Sequence, residues 1–338
     1  MNSHYITSED DFLALIAAAF PNTHPSLILG RGDDCAEIAC PPQMAVSTDL
    51  FVEDAHFRQR YFTPYETGYK ALAVNISDMA AAGAKPLGVS VGLTVPVPFN
   101  RENAAGIIAG MAEAAAKFDI ALTGGDLSRG EKLAFCVTIW GAPAPDAAAP
   151  SPADRAFLRR GPVREGDALF LCGEVGLARA GLLLLEEKGR AALHAYPVCC
   201  RAHLMPEPLV TAGLVLARHS SCRLMDVSDG LLRDLPRMLR AYGVSFGAAI
   251  ALPEDMLHPE TTRYAHETGE DPALFAFTGG EDYALLGACP QDEFAVIKEA
   301  VELLPEAPRV ARIGTVTTRP GLVLNGAPLS AAGFDHFR

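Results

Sequence analysis

Residues 67–84 read TGYKALAVNISDMAAAGA, an apolar helical stretch with a carboxylate where a core-facing helix should carry none. Ala, Leu and Met favour helix, and Tyr69, Leu72 and Ile76 recur at spacings of three and four, which marks one core-packed face. Asn75 and Asp78 share a different face, flanked by Ala71 and Ala82, so small residues leave room for a group to approach the helix closely. Burying a lone ionised carboxylate is costly, so Asp78 must be hydrogen-bonded, paired, protonated or bound to a cation. The competing reading is a helix break at Ser77, with Asp78 capping a second helix. The rest of the chain tips the balance.

With 338 residues the chain can bury a large core, and the usual domain size divides it into about two domains. Apolar residues make up 49% and charged residues 20%, as in a soluble globular protein. A net charge of -13 argues against a surface built to track nucleic acid or an anionic membrane. A polyanionic ligand would therefore need metal ions between it and the protein. No apolar run approaches the ~20 residues of a membrane-spanning helix, and MNSHYITSEDDF lacks a basic-then-apolar leader pattern, so the expected compartment is the cytoplasm. The eight cysteines are scattered without paired C-x-x-C spacing and read as reduced core or loop residues.

Outward from the central stretch, strand ends and glycine turns repeatedly carry acids. Ser8-Glu9-Asp10-Asp11 opens a capped amphipathic helix that stops before Pro21. Gly30-Arg31-Gly32-Asp33-Asp34 is a turn, and Met44 to Asp49 reads as a short buried strand ending in Ser47, Thr48 and Asp49. His56 reads as a proton shuttle, a phosphate donor or a loop histidine. Gly106 and Gly110, inside an Ala-rich helix at 101–117, predict tight packing on a neighbour. Thr123-Gly124-Gly125-Asp126 again ends a strand. The Pro/Ala-rich 142–152 is the expected boundary between domains 1–150 and 151–338, and Arg159 and Arg160 follow it. In the second half, strand 168–172 leads into Gly173-Glu174-Val175-Gly176, a loose phosphate-loop likeness better read as a plain helix start. Asp226-Val227-Ser228-Asp229 and Gly279-Gly280-Glu281-Asp282-Tyr283 repeat the acidic pattern, with Ser228 or Asp229 as alternative helix caps. Asn325-Gly326 predicts a hairpin turn.

Asp34, Asp49, Asp78, Asp126, Asp226 and Asp229 thus form a set without matching lysines. Hard oxygen ligands without His/Cys clusters fit magnesium better than zinc or copper, and several magnesium ions in one site point to phosphate oxygens. No GxxxxGK[ST] is present, so any ATP bound here would have to be held by metals, glycine-turn amides and Arg160.

These motifs make the chain resemble the thiamine-monophosphate kinase family, of the aminoimidazole ribonucleotide synthetase superfamily. They are GDDCA at 32–36, STD at 47–49 with HF at 56–57, KALAVNISDMAAAGA at 70–84, GGD at 124–126, DVSDGL at 226–231, GGEDY at 279–283 and FDHF at 334–337. The resemblance implies a two-domain α/β (α+β type) protein. Its N-terminal mixed sheet, with helices, pairs in a homodimer, and its C-terminal domain is α/β. It implies transfer of the ATP γ-phosphoryl group to thiamine monophosphate. By it, Asp34, Ser47, Thr48, Asp49, Asp78, Asp126, Asp226 and Asp229 hold magnesium, and Asp49, Asp78 and Asp126 are catalytic. Gly125, Asp126, Arg160 and Ser228 touch ATP, while His56, Glu281 and Phe334 meet the thiamine substrate. Ala82 stands where the family often has Met, and Leu127-Ser128 follow Gly-Gly-Asp where Thr is common, which affects loop geometry only.

Two alternatives remain from the sequence. A selenophosphate-synthetase-like enzyme needs a reactive Cys with a nearby Lys in a glycine-rich loop, and Cys35 has no such lysine. A non-catalytic nucleotide- or metal-binding regulator would not need an intact ligand at every position.

Overall fold

Ser8 opens the first helix, α1 (Glu9–Ala19), its Oγ accepting the Asp11 N–H at 3.2 Å as the acidic first turn predicts. The computed structural model describes residues 4–144, 157–243 and 245–329. The Pro/Ala-rich stretch therefore lies largely, and the terminal FDHF wholly, outside the described residues. Contacts divide the chain into one unit of Met1–Met79 with Lys85–Pro143 and another of Ala80–Ala84 with Ala144–Arg338.

In the first unit, β1 (Leu27–Leu29) and β2 (Glu37–Ile38) form a small antiparallel pair around the Gly-Asp-Asp turn. Then come β3 (Ala45–Val52), α2 (Pro64–Ala81), β4 (Ala84–Val95), α3 (Arg101–Lys117), β5 (Ala121–Arg129) and β6 (Ala134–Pro143). Helix α2 starts three residues before the quoted stretch because Thr63 and Glu66 form a reciprocal cap: Glu66 Oε2 accepts Thr63 N and Oγ1, both at 2.8 Å, and Thr63 Oγ1 accepts Glu66 N at 3.2 Å. It runs unbroken through Ser77, which excludes the reading of Asp78 as the cap of a second helix. The helices α2 and α3 approach at backbone distance. A Cβ on Gly68 would lie 1.9 Å from the Ile107 carbonyl oxygen, and one on Gly110 would lie 1.9 Å from that of Tyr65.

The sheet order is β3-β6-β4-β5, antiparallel between β3 and β6 and parallel between β4 and β5, a mixed sheet. Alternation along β3 sends Ser47, Asp49 and the buried Phe51 to one face and Val46, Thr48 and Leu50 to the other. Phe51 stacks on Phe57 with centroids 4.9 Å apart and lies 6.1 Å from Phe135, anchoring the covered face. The opposite face leaves Val46 57% and Leu50 62% exposed. The expected buried strand ending at Asp49 is thus corrected. Leu50, Phe51 and Val52 carry it onward, and it is buried on one side only.

The second unit contains β7 (Ala168–Cys172), α4 (Leu177–Lys188), α5 (Pro197–Leu204), α6 (Val210–Leu216), β8 (Arg223–Asp226), α7 (Leu231–Leu239) and β9 (Gly247–Ile250). It continues with α8 (Pro259–Thr268), α9 (Pro272–Phe277), β10 (Leu285–Cys289), α10 (Phe294–Glu302), β11 (Val310–Thr317), β12 (Gly321–Leu324) and β13 (Ala327–Leu329). Its sheet runs β13-β12-β9-β11-β7-β10-β8, parallel only between β12 and β9 among the described pairings. The inner strands β7 and β10 are buried at every residue, as their unbroken apolar sequences require. Leu169, Leu171 and Leu286 join Leu231, Leu235 and Met238 of α7 in one core. Asn325 and Gly326 turn between β12 and β13 with φ of 49° and 85°, the hairpin expected from the dipeptide.

Candidate active site

In the first unit the anomalous helix and β3 meet through polar groups. Ser47 Oγ donates to Asp78 Oδ2 at 2.5 Å. Burial, the Asp78 charge and a hydrogen bond to Asp78 together push the Asp49 carboxyl up to about 6. Ser47, Asp49 and Asp78 are therefore one cluster. Beside it, Asn75 is fully buried; its Nδ2 donates to the Ala71 carbonyl at 3.0 Å, while its Oδ1 has no hydrogen-bond partner among the described residues.

Thr48 stands apart from that cluster. Its hydroxyl lies 2.9 Å from that of Thr138 on the open face, because it alternates with Ser47 and Asp49. Asp126 also stands apart: β5 and β3 are the two edges of the four-stranded sheet, and three strand spacings amount to about 14 Å. Asp126 is exposed and registers with Gly92. Gly125 before it has φ of 156°, and a Cβ there would lie 1.8 Å from the Val91 carbonyl oxygen, so only glycine fits.

Arg31 fixes the exposed Gly-Asp-Asp turn that carries Asp34. Its guanidinium donates to the carbonyls of Leu122 at 2.6 Å, Phe20 at 2.9 Å and Pro21 at 3.4 Å. His56 Nδ1 accepts the Val52 N–H at 3.0 Å, so the neutral ring carries its proton on Nε2.

The second unit gathers another group. The glycine turn before β10 is laced to the turn after β8 by Glu281 N to Ser228 O at 2.7 Å and Tyr283 N to Val227 O at 3.0 Å. Glu281 and Tyr283 hold φ of 62° and 51°, uncommon for side-chain-bearing residues and stored where the turn presents its acids. Asp226 ends β8 opposite Leu285. Neither Ser228 nor Asp229 caps α7, a correction to that reading, since Gly230 takes the cap position without a side-chain bond. Asp229 instead donates its N–H to buried Asp234 at 2.9 Å, and Arg237 bridges Asp229 at 2.6 Å and Asp234 at 2.8 Å. Arg160 is exposed just before β7, and Phe334 lies outside the described residues.

Asp282 explains the glycine turn before α4. Its carboxylate accepts Gly176 N at 2.7 Å and Ala178 N at 2.9 Å, and burial pushes its carboxyl up to about 7. The helix start is filled by the protein's own anion, in keeping with a plain helix start. His203 escaped the sequence reading entirely: it pairs with Glu281 from α5 and has no motif around it. The Arg237–Asp234 support was equally illegible.

The donor set fits magnesium. Two abutting carboxylates with a hydroxyl are what a hard divalent cation relieves, and magnesium takes one or two protein carboxylates while keeping waters and phosphate oxygens. No group of three His, Cys, Asp or Glu placed to hold a metal occurs among the described residues. The Asp49 carboxyl also makes a stability prediction. Between its ordinary value near 3.8 and about 6, the native state holds more protons than the unfolded chain, so this contribution falls as the pH rises through that window. Asp49→Asn is expected to raise the metal-free melting temperature by a few degrees at pH 7.5 and by much less near pH 4.5. Calorimetry at both pH values checks it, and an equal effect at both contradicts the pairing.

Comparison with known proteins follows the same lines. Residues 32–142 match the family described as AIR synthase related protein, N-terminal domain. Thiamine-monophosphate kinase of Bacillus subtilis (strain 168) is 34% identical over an alignment of 343 residues, covering 97% of this chain and 100% of the relative. That of Rhodopirellula baltica is 33% identical over 93% of this chain and 91% of its own. The crystal structure of thiamine-monophosphate kinase from Stenotrophomonas maltophilia K279a superposes with a TM-score of 0.80 at 28% identity, covering 97% of this chain and all of the other. The structure of AaThiL complexed with AMPPCP and TMP gives 0.71 at 28% identity, covering 87% of each chain. Because the likeness runs the length of both chains at 34% identity, this chain belongs to the thiamine-monophosphate kinase family.

Proposed function

We propose that this protein transfers the γ-phosphoryl group of ATP to the phosphate of thiamine monophosphate, giving thiamine diphosphate and ADP by direct in-line displacement. The observation that carries the reading is 34% identity over 97% of the chain, joined to the Ser47–Asp49–Asp78 cluster. The attacking oxygen belongs to a phosphate monoester whose second pKa is about 6, so near neutral pH it needs no general base. That suits a site rich in carboxylates and poor in bases. Bound magnesium would neutralise the repulsion between two anionic substrates and the charge that develops during transfer.

The residue roles are those the resemblance assigns. Ser47, Asp49 and Asp78, with Asp34, Thr48, Asp126, Asp226 and Asp229, would hold magnesium. On the Asp49 face Thr48 would use its backbone, since its hydroxyl faces Thr138. Gly125, Asp126, Arg160 and Ser228 would contact ATP, and His56, Glu281 and Phe334 the thiamine moiety. His56, protonated on Nε2, suits donation to an anionic oxygen. Residues 1–150 would bind metal and ATP and dimerise, and residues 151–338 would complete the ATP and thiamine monophosphate sites. The apolar open face with Val46 and Leu50 supports pairing with a second copy. Unpaired cysteines at all eight positions support a cytoplasmic setting; among the described residues, no helix is long and apolar enough to cross a membrane.

The test is ADP release with and without thiamine monophosphate. Turnover that requires it is expected, and turnover indifferent to it defeats the proposal. Magnesium with ATP should raise the melting temperature well above either alone, because ligands of the native state stabilise by mass action. Simple additivity of the two shifts would count against a joint site. Exposed Cys35 supplies a contrary check: Cys35→Ser should keep most activity, whereas loss of the chemical step in a folded variant would favour the selenophosphate-type reading.

A further inference from the structure

One nitrogen of Arg237 faces two carboxylates. Its Nη1 donates to Asp234 Oδ1 at 2.8 Å and forms an ion pair with Asp229 Oδ2 at 2.6 Å. The second oxygen of Asp234 is engaged as well, since Oδ2 accepts the Asp229 N–H at 2.9 Å. Asp234 therefore fixes the backbone at Asp229, and Arg237 sits against the Asp229 charge.

The burial of the three side chains decides which of these contacts can yield. Asp234 is 0% exposed, Asp229 25% and Arg237 40%. Removing the cation from a buried carboxylate is strongly destabilising, so Asp234 keeps the guanidinium in place. Arg237 cannot swing clear of Asp229 without that loss. A divalent cation drawn to either oxygen of Asp229 then stands beside a fixed positive charge, and like charges at such range repel. Because a guanidinium stays charged at any working pH, protonation offers no way around the repulsion.

We propose that Arg237 is a brake on metal loading: pinned by Asp234, it lowers the affinity of Asp229 for magnesium and raises the concentration at which this carboxylate takes the ion. This rests on the reading of Asp229 as a magnesium ligand. Arg237 acts through Asp229, so removing its charge should tighten metal binding, whereas a merely structural support would loosen it when lost.

Binding of Mn2+, a hard stand-in for magnesium, to the chelator-treated full chain tests this, with the free ion counted by electron paramagnetic resonance. Arg237→Gln keeps an amide donor for Asp234 but no charge, and should tighten binding about tenfold, allowing for solvent screening of a half-exposed guanidinium. Arg237→Met, also uncharged, should do the same and serves if the Gln variant does not fold. Arg237→Lys keeps the charge and should stay near the parent. Asp229→Asn alone should weaken binding, and in that background Arg237→Gln should no longer tighten it, because the two charges act as a pair. If Asp229→Asn weakens binding while the uncharged Arg237 variants match the parent or bind more weakly, the brake is overturned and the reading of Asp229 survives. Tightening that persists undiminished beside Asp229→Asn, or that Arg237→Lys shares in full, overturns it too. If Asp229→Asn leaves Mn2+ binding unchanged, the ligand reading falls and this inference with it.

Discussion

Asp78→Asn is expected to fold normally and to lose turnover by about a thousandfold or more. The amide keeps the shape of the side chain and can still meet Ser47 Oγ, which donates to Asp78 Oδ2 at 2.5 Å in the parent. What it loses is the charge that, with Asp49, would anchor cations against two phosphates. Several kcal/mol of transition-state stabilisation depend on such cations, and each 1.36 kcal/mol is a factor of ten in rate. The melting temperature should stay within a few degrees, since the change also relieves the repulsion that helps raise the Asp49 carboxyl to about 6. Steady-state assays over a magnesium series measure the loss. Near-normal turnover with unchanged magnesium dependence would remove Asp78 from the site.

The largest stability effect is expected at Gly110. Its missing Cβ would lie 1.9 Å from the Tyr65 carbonyl oxygen and 2.8 Å from the Tyr69 nitrogen, both backbone atoms of α2 that no rotamer change can move. Gly106, one turn earlier, would first meet Pro64 Cβ at 3.0 Å, a contact that small shifts accommodate. Both Gly→Ala changes gain about 1 kcal/mol of helix propensity, so the difference between them isolates the contact. Gly110→Ala should lower the melting temperature by about 10 °C, as a loss of roughly 3 kcal/mol implies, and Gly106→Ala by far less. Thermal denaturation of the pair decides, and the reverse order would contradict the close approach of α2 and α3.

What was legible in the sequence was whatever violated its local pattern. A carboxylate inside an apolar helix has few physical explanations, so Asp78 pointed to the cluster that Ser47 and Asp49 complete. The unbroken apolar runs of β7 and β10 and the Asn325-Gly326 turn were legible because burial and positive φ each admit few residue types. What depended on register was not. Ser47, Thr48 and Asp49 look alike in sequence, yet pairing with β6 sends Thr48 to the other face. Long-range supports left no mark either. His203 lies in an ordinary amphipathic helix, and the partners of Asp282 at the start of α4 are more than a hundred residues away.

Arg31 has a bearing on aggregation as well as on the site. Because β5 is an edge of the four-stranded sheet, its backbone is a template on which a strand from another molecule can grow. The guanidinium that steadies the Gly-Asp-Asp turn occupies the Leu122 carbonyl near the start of that edge, while placing a charged side chain against it. The residue that orders an acidic turn thus also blunts an adhesive edge, so the solubility of the chain and the placement of Asp34 depend on the same side chain.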